Sequence, residues 1–168
     1  IELMLKCVKL KDSKLILPLP AFSQYWTGKD SWKINCKIIE PLEDLNIDQE
    51  SLLSSIEQNS MVVITSPNNP TGETLSVVQV RTICEKAKEN NSYVFLDCAY
   101  IEFTNLEGDY LALIDDFDNL VMLRTLSKAY GLAAIRVGYL LGQQALINEF
   151  KKVAMPFNVS QPNIELAL

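Results

Sequence analysis

The chain has 168 residues, 48% of them hydrophobic and 21% charged, which supports one sizeable core and excludes a disordered composition. Its net charge is −6, there is no histidine, and the 15 lysines and arginines are scattered. No cationic groove of the kind a phosphodiester backbone requires is expected, hence no nucleic-acid partner.

The chain opens at Ile1, without methionine, inside an amphipathic helical pattern carried by Ile1, Leu3, Met4, Leu5 and Val8. Strand-length apolar runs follow at Leu15–Leu17 and Ile38–Ile39, then a helical segment from Asp48 to Gln58 bearing Leu52, Leu53 and Ile56. Met61–Thr65 is a continuous apolar run. Ser76 is placed to cap a longer helix reaching about Asn90, with Val77, Val80, Ile83, Cys84 and Ala87 on one stripe. Further strands are expected at Tyr93–Leu96, Leu120–Leu123 and Val137–Leu141, and a helix from Gln143 to Val153 on Leu146, Ile147 and Phe150. The chain stops in the apolar-rich stretch Ile164–Leu168. Both ends read as cutting through structured elements, so a piece of a longer protein is expected.

Strands alternating with helices predict an α/β domain with a mostly parallel, covered sheet. Runs without alternation, such as Met61–Thr65 and Tyr93–Leu96, suit strands buried on both faces. Four cysteines, Cys7, Cys36, Cys84 and Cys98, lack C-x-x-C spacing; no metal site is expected, and three are expected as reduced core thiols. There is no apolar run of about 18 residues and no basic-then-apolar leader. With reduced thiols this predicts a cytoplasmic location.

In sheets of this kind ligands bind beyond the carboxyl ends of the strands, and three strand ends carry candidate chemistry. Ser66-Pro-Asn-Asn-Pro-Thr-Gly72 is either an ordinary turn or a loop stiffened by Pro67 and Pro70 to present an Asn amide as a fixed donor. In Asp97-Cys-Ala-Tyr100, the acid either caps the strand edge or is a desolvated carboxylate awaiting a cationic partner. In Arg124-Thr-Leu-Ser-Lys-Ala-Tyr-Gly131, Lys128 is either a solvated charge or an amine desolvated into a nucleophile, with hydroxyls at Thr125 and Ser127 beside it.

The order and spacing of these phrases resemble the aspartate-aminotransferase-like superfamily, fold type I of the pyridoxal-phosphate enzymes, most nearly its histidinol-phosphate aminotransferases. The likeness covers essentially the whole chain and rests on S-P-N-N-P-T-G at Ser66–Gly72, D-C-A-Y-I-E-F at Asp97–Phe103 and L-R-T-L-S-K-A-Y-G-L-A-A-I-R-V-G-Y at Leu123–Tyr139. It implies that residues 1–168 are the pyridoxal-phosphate-binding large domain, three α/β/α layers around a mostly parallel mixed sheet. By the same resemblance that domain is incomplete at both ends, without an N-terminal arm and a C-terminal small domain.

The resemblance further implies that Lys128 holds the cofactor as a Schiff base and moves the substrate's proton. Asp97 pairs with the pyridine nitrogen, and Asn69 and Tyr100 hydrogen-bond the ring's phenolic oxygen. Phe22 stacks on the ring, unless it is a plain core residue, and Ala99 lies on the ring's opposite face. Arg136, eight residues after Lys128, binds the phosphate with Thr125 and Ser127, unless it is a surface charge before the last strand. Cys98 stands where many relatives carry Glu, which loosens subfamily assignment; its side chain is expected on the far side of the strand end. The implied reaction is ping-pong transfer of an amino group from an L-amino acid such as histidinol phosphate to 2-oxoglutarate, in a homodimer serving amino-acid biosynthesis. Decarboxylases of amino-acid phosphates, such as threonine-phosphate decarboxylase, share the same contacts. So do non-catalytic cofactor-binding sensor domains of transcription regulators.

Overall fold

The computed structural model describes all residues, Ile1–Leu168. Six strands make one sheet: β1 (Lys14–Pro18), β2 (Cys36–Ile39), β3 (Ser60–Thr65), β4 (Tyr93–Asp97), β5 (Leu120–Thr125) and β6 (Gly138–Gly142). Their order is β2-β1-β3-β4-β5-β6. The first five strands are parallel, and β6 runs antiparallel to β5. Each expected strand is present within a residue or two of its apolar run. The direction of β6 carries no sequence signal, because a pleated strand reads the same way up or down.

Seven α-helices accompany the sheet: α1 (Glu2–Leu10), α2 (Ser23–Ser31), α3 (Gln49–Ser55), α4 (Val77–Glu89), α5 (Glu107–Asp116), α6 (Gln144–Val153) and α7 (Gln161–Glu165). In α4 the expected cap forms a full capping box: the Ser76 hydroxyl accepts from Gln79 N–H while the Gln79 side chain accepts from Ser76 N–H. Its buried stripe is Val80, Ile83, Cys84 and Ala87, the spacing of one helical face. α3 stops at Ser55, short of Gln58, because Ile56 is already extended (φ −73°, ψ 109°) and turns inward to the core.

Alternate residues of each central strand serve opposite layers. Val62, Ile64, Val94, Leu96, Leu120 and Met122 face a core closed by α3, α4 and α5. Met61, Val63, Phe95 and Val121 face a second core closed by α1, α2 and α6. The three-layer arrangement is the expected one. Cys7, Cys84 and Cys98 are buried and Cys36 half-buried, all as free thiols. Cys98 packs in the first core, on the far side of the strand end as expected.

α2 and α5 were not foreseen. Only Tyr25 is buried in α2, so its sequence has no apolar period to read. α5 has Leu106 as its N-cap, without a side-chain cap bond, and only Tyr110 and Leu113 of its residues are fully buried. The apolar end of the chain behaves differently from the rest: α7 buries no residue, and Leu168 is 99% exposed. No helix is long and apolar enough to cross a membrane.

Candidate functional site

The path of the chain places the site. From β1 it passes to β2 on one flank and then returns to β3 on the other, which makes the carboxyl edge between β1 and β3 a switch point. The loops after β1, β3, β4 and β5 all leave at that edge. Because β6 is antiparallel, the segment that enters it arrives there too. The result is a cleft of about 490 Å³, lined by every residue to which the resemblance gave a cofactor contact.

Asp97, last in β4, stands in register with Thr65 on β3 and Leu123 on β5, and is 3% exposed. Its Oδ2 accepts from the Tyr25 hydroxyl at 2.6 Å, and its Oδ1 accepts from the Ala99 N–H at 3.1 Å. Burial raises the Asp97 pKa above the ordinary carboxylate value, against the pull of those two hydrogen bonds. No lysine or arginine forms an ion pair with it. Of the two sequence readings, the desolvated carboxylate is the one found. It lacks a cation.

Tyr25 is the residue the sequence reading missed. It is fully buried in α2, and burial, with the Asp97 charge beside it, pushes its phenol well above the usual range. It follows Phe22, the N-cap of α2, by nearly one helical turn; Phe22 lines the cleft, while Tyr25 lies beneath it against Asp97.

After β3, the loop divides the work between its two asparagines. Asn68 is buried and donates to Pro20 O at 3.0 Å and Thr71 Oγ1 at 3.1 Å, tying this loop to the one that carries Phe22. Gly72 closes the loop at φ +77°, and its N–H donates to Asn68 O at 2.9 Å. Asn69 is thereby left to face the cleft, where its Nδ2 lies 3.5 Å from the Tyr100 hydroxyl.

Lys128 lies in the turn after β5, with its ammonium 5.2 Å from the centre of the Tyr100 ring. Of its two sequence readings, the solvated charge is the one these residues show. Lys128 is exposed, because the turn stands at the open mouth of the cleft and no element of these residues covers it. Thr125 and Ser127 are half-buried beside it, the Thr125 Oγ1 accepting from the Ser127 N–H at 3.2 Å.

Arg136 is exposed, pairs with no carboxylate, and donates from Nη1 to Ala133 O at 2.9 Å. Its backbone is left-handed (φ 55°, ψ 38°), an uncommon state for arginine that persists only where the surroundings impose it. Two residues on, Gly138 opens β6; a Cβ there would come within 2.9 Å of Arg124 O, so no side chain fits. Phe22 and Ala99, both half-buried, add apolar surface to the cleft. The set therefore offers a buried anion, an aromatic face, paired polar donors, two hydroxyls, a free amine and an unpaired guanidinium. That chemistry can hold a flat ring bearing a cationic nitrogen together with an anionic group.

Residues 1–168 match the model of the family described as aminotransferase class I and II. A histidinol-phosphate aminotransferase of Methanocella arvoryzae is 35% identical over all of this chain and 46% of its own length. One from Pelodictyon phaeoclathratiforme is 38% identical over 88% of this chain and 41% of its own. Among solved structures, the histidinol-phosphate aminotransferase of Sinorhizobium meliloti, in complex with pyridoxal-5'-phosphate, superposes with a TM-score of 0.85 at 24% identity, covering 98% of this chain and 46% of that one. The L-threonine-O-3-phosphate decarboxylase of Porphyromonas gingivalis superposes at 0.78 with 22% identity, over 98% and 48%. At those identities the superpositions show a shared fold. The chain spans about half the length of the relatives it matches.

Proposed function

We propose that this chain, which belongs to the class I and II aminotransferase family, is the cofactor-holding part of a pyridoxal-phosphate aminotransferase. Its amino donor is a histidinol-phosphate-like amino acid and its acceptor 2-oxoglutarate, taken in alternation. The names of the relatives support the donor class. One observation carries the reading: a buried carboxylate without a cation, Asp97, opens onto the same cleft as an unpaired amine, Lys128.

The residues fit that cofactor. A protonated pyridine nitrogen supplies the cation Asp97 lacks, and a phosphate supplies the anion Arg136 lacks. When bound, pyridoxal phosphate supplies an electron sink that stabilises negative charge on the substrate's α-carbon. Lys128 would hold the cofactor's aldehyde through Nζ, and its amine, when free, would serve as the base that carries the substrate's α-proton. The buried Asp97 carboxylate holds the proton on the ring nitrogen, and Tyr25 holds Asp97 in place through Oδ2. Asn69 and Tyr100 donate to the phenolic oxygen. Phe22 would pack against one face of the ring, and the small Ala99 would leave room at the other. Arg136 grips the phosphate with Thr125 and Ser127.

Residues 1–168 are, in this reading, a large domain whose full-length protein is a homodimer, with donor recognition supplied outside them. The test is borohydride reduction of the full chain loaded with pyridoxal phosphate, followed by peptide mapping. The label is expected on Lys128; a label on another lysine, or none, rejects the reading.

A further inference from the structure

Arg124, the last but one residue of β5, is 2% exposed and lies beside two acids. Its Nη2 donates to Glu102 Oε1 at 2.9 Å and to Glu107 Oε1 at 2.7 Å. Burial works against the guanidinium's charge, but the hydrogen bonds to Glu102 and Glu107 outweigh it and hold the pKa above the ordinary value. The pairing is incomplete: Arg124 Nε and Glu102 Oε2 are both buried with no partner. A buried ion pair returns little net stability even when every atom is satisfied, and less when two are not. Its consequence is better sought in geometry.

Glu102 belongs to the short 3₁₀ turn Ile101–Phe103, which starts directly after Tyr100. The turn's own backbone bonds are local: Ile101 N–H to Cys98 O, Phe103 N–H to Tyr100 O and Thr104 N–H to Ile101 O. Its polar link to β5 runs through Glu102 and Arg124. Glu107, in the first turn of α5, fixes the far end of the same segment to the same guanidinium. Arg124 in turn lies one residue before Thr125 and four before Lys128.

We propose that Arg124 is a positioning residue: through Glu102 it holds the turn after Tyr100 against β5, and so sets where the Tyr100 hydroxyl stands relative to Lys128. The inference rests on the cofactor reading above, since it concerns where one donor meets the phenolic oxygen. Two exits of the sheet, after β4 and after β5, carry the groups that must face each other. The buried guanidinium is the polar side-chain tie between them.

The test is a double-mutant cycle on the full chain loaded with pyridoxal phosphate, reading the pH midpoint of the bound cofactor's absorption band. Tyr100→Phe removes a hydrogen bond to an oxyanion and is expected to raise the midpoint by about one pH unit. Glu102→Met, which removes the acceptor and so unties the turn from Arg124, is expected to raise it by a smaller amount, and to add nothing once Tyr100 is Phe. Direction separates this from a field effect, because removing a negative charge acts through space to lower the midpoint. Arg124→Lys keeps the charge but lacks the reach that sets one nitrogen against both Glu102 and Glu107; it should reproduce the Glu102→Met rise, and stands in if that variant does not fold. A fall, no change, or an equal shift in both Tyr100 and Tyr100→Phe backgrounds overturns the positioning role while leaving the cofactor reading intact. A wild-type chain with no cofactor band overturns both.

Discussion

The Asp97 end and the Lys128 end of one cleft are built on opposite principles. Asp97 is sealed between β3 and β5 with a phenol and an amide on its two oxygens, whereas Lys128 stands in an exposed turn with its ammonium over the Tyr100 ring, 5.2 Å from its centre. The sheet interior accounts for this difference. A residue still inside a central parallel strand inherits the strand's burial on both faces, and a residue three past the strand end does not. The chain thus desolvates its acid unaided. It leaves the amine in water.

Asp97→Asn bears hardest on that contrast. It keeps the shape of the dry end and removes its charge, and turnover of the loaded full chain should fall by about 10²- to 10³-fold, measured as kcat. The same change should stabilise the cofactor-free chain at neutral pH. The Asp97 pKa is raised in the folded state, so between the ordinary carboxylate value and the raised one the folded chain holds more protons than the unfolded chain. Its contribution to stability is therefore full below the ordinary value and is lost as pH rises through the raised one. Asn, which cannot ionise, escapes that loss; a thermal midpoint of Asp97→Asn below wild type at neutral pH would show the dry end to be less costly than its burial implies.

Arg136→Lys probes the open end. A point charge replaces a fork that can meet two phosphate oxygens, and cofactor affinity should weaken by about tenfold, read by fluorescence titration. An unchanged affinity would leave Arg136 as a surface charge. Smallest is Ser76→Ala, remote from both ends, which removes the hydroxyl half of the α4 capping box and should cost about 1 kcal/mol in denaturant melts. Cofactor affinity should not change; if it does, the cleft is coupled to the helical layer more tightly than the sheet alone explains.

The strands were legible because burial on both faces demands unbroken apolar runs, as at Met61–Thr65, and α4 because Ser76, Gln79 and the Val80–Ala87 stripe agree with one another. The cleft residues were legible through their order along the chain, which the family shares. Tyr25 was not: it supports Asp97 across 72 positions, from a helix whose other residues carry no apolar period. Arg124 was read only as a letter in a phrase, since nothing local distinguishes a buried arginine from a solvated one until its acids are located.

What the residues determined without help is local in origin: which stretches bury, where α4 starts, and which side chains follow each strand. Period, capping and chain order are properties of neighbours in sequence. The tertiary structure alone decided that β6 runs backwards and so delivers Arg136 to the carboxyl edge, that Tyr25 meets Asp97, and that Lys128 stays in water. Each of these depends on how far apart in the chain two packed groups lie, and burial, which sets their electrostatics, exists only once the layers have closed.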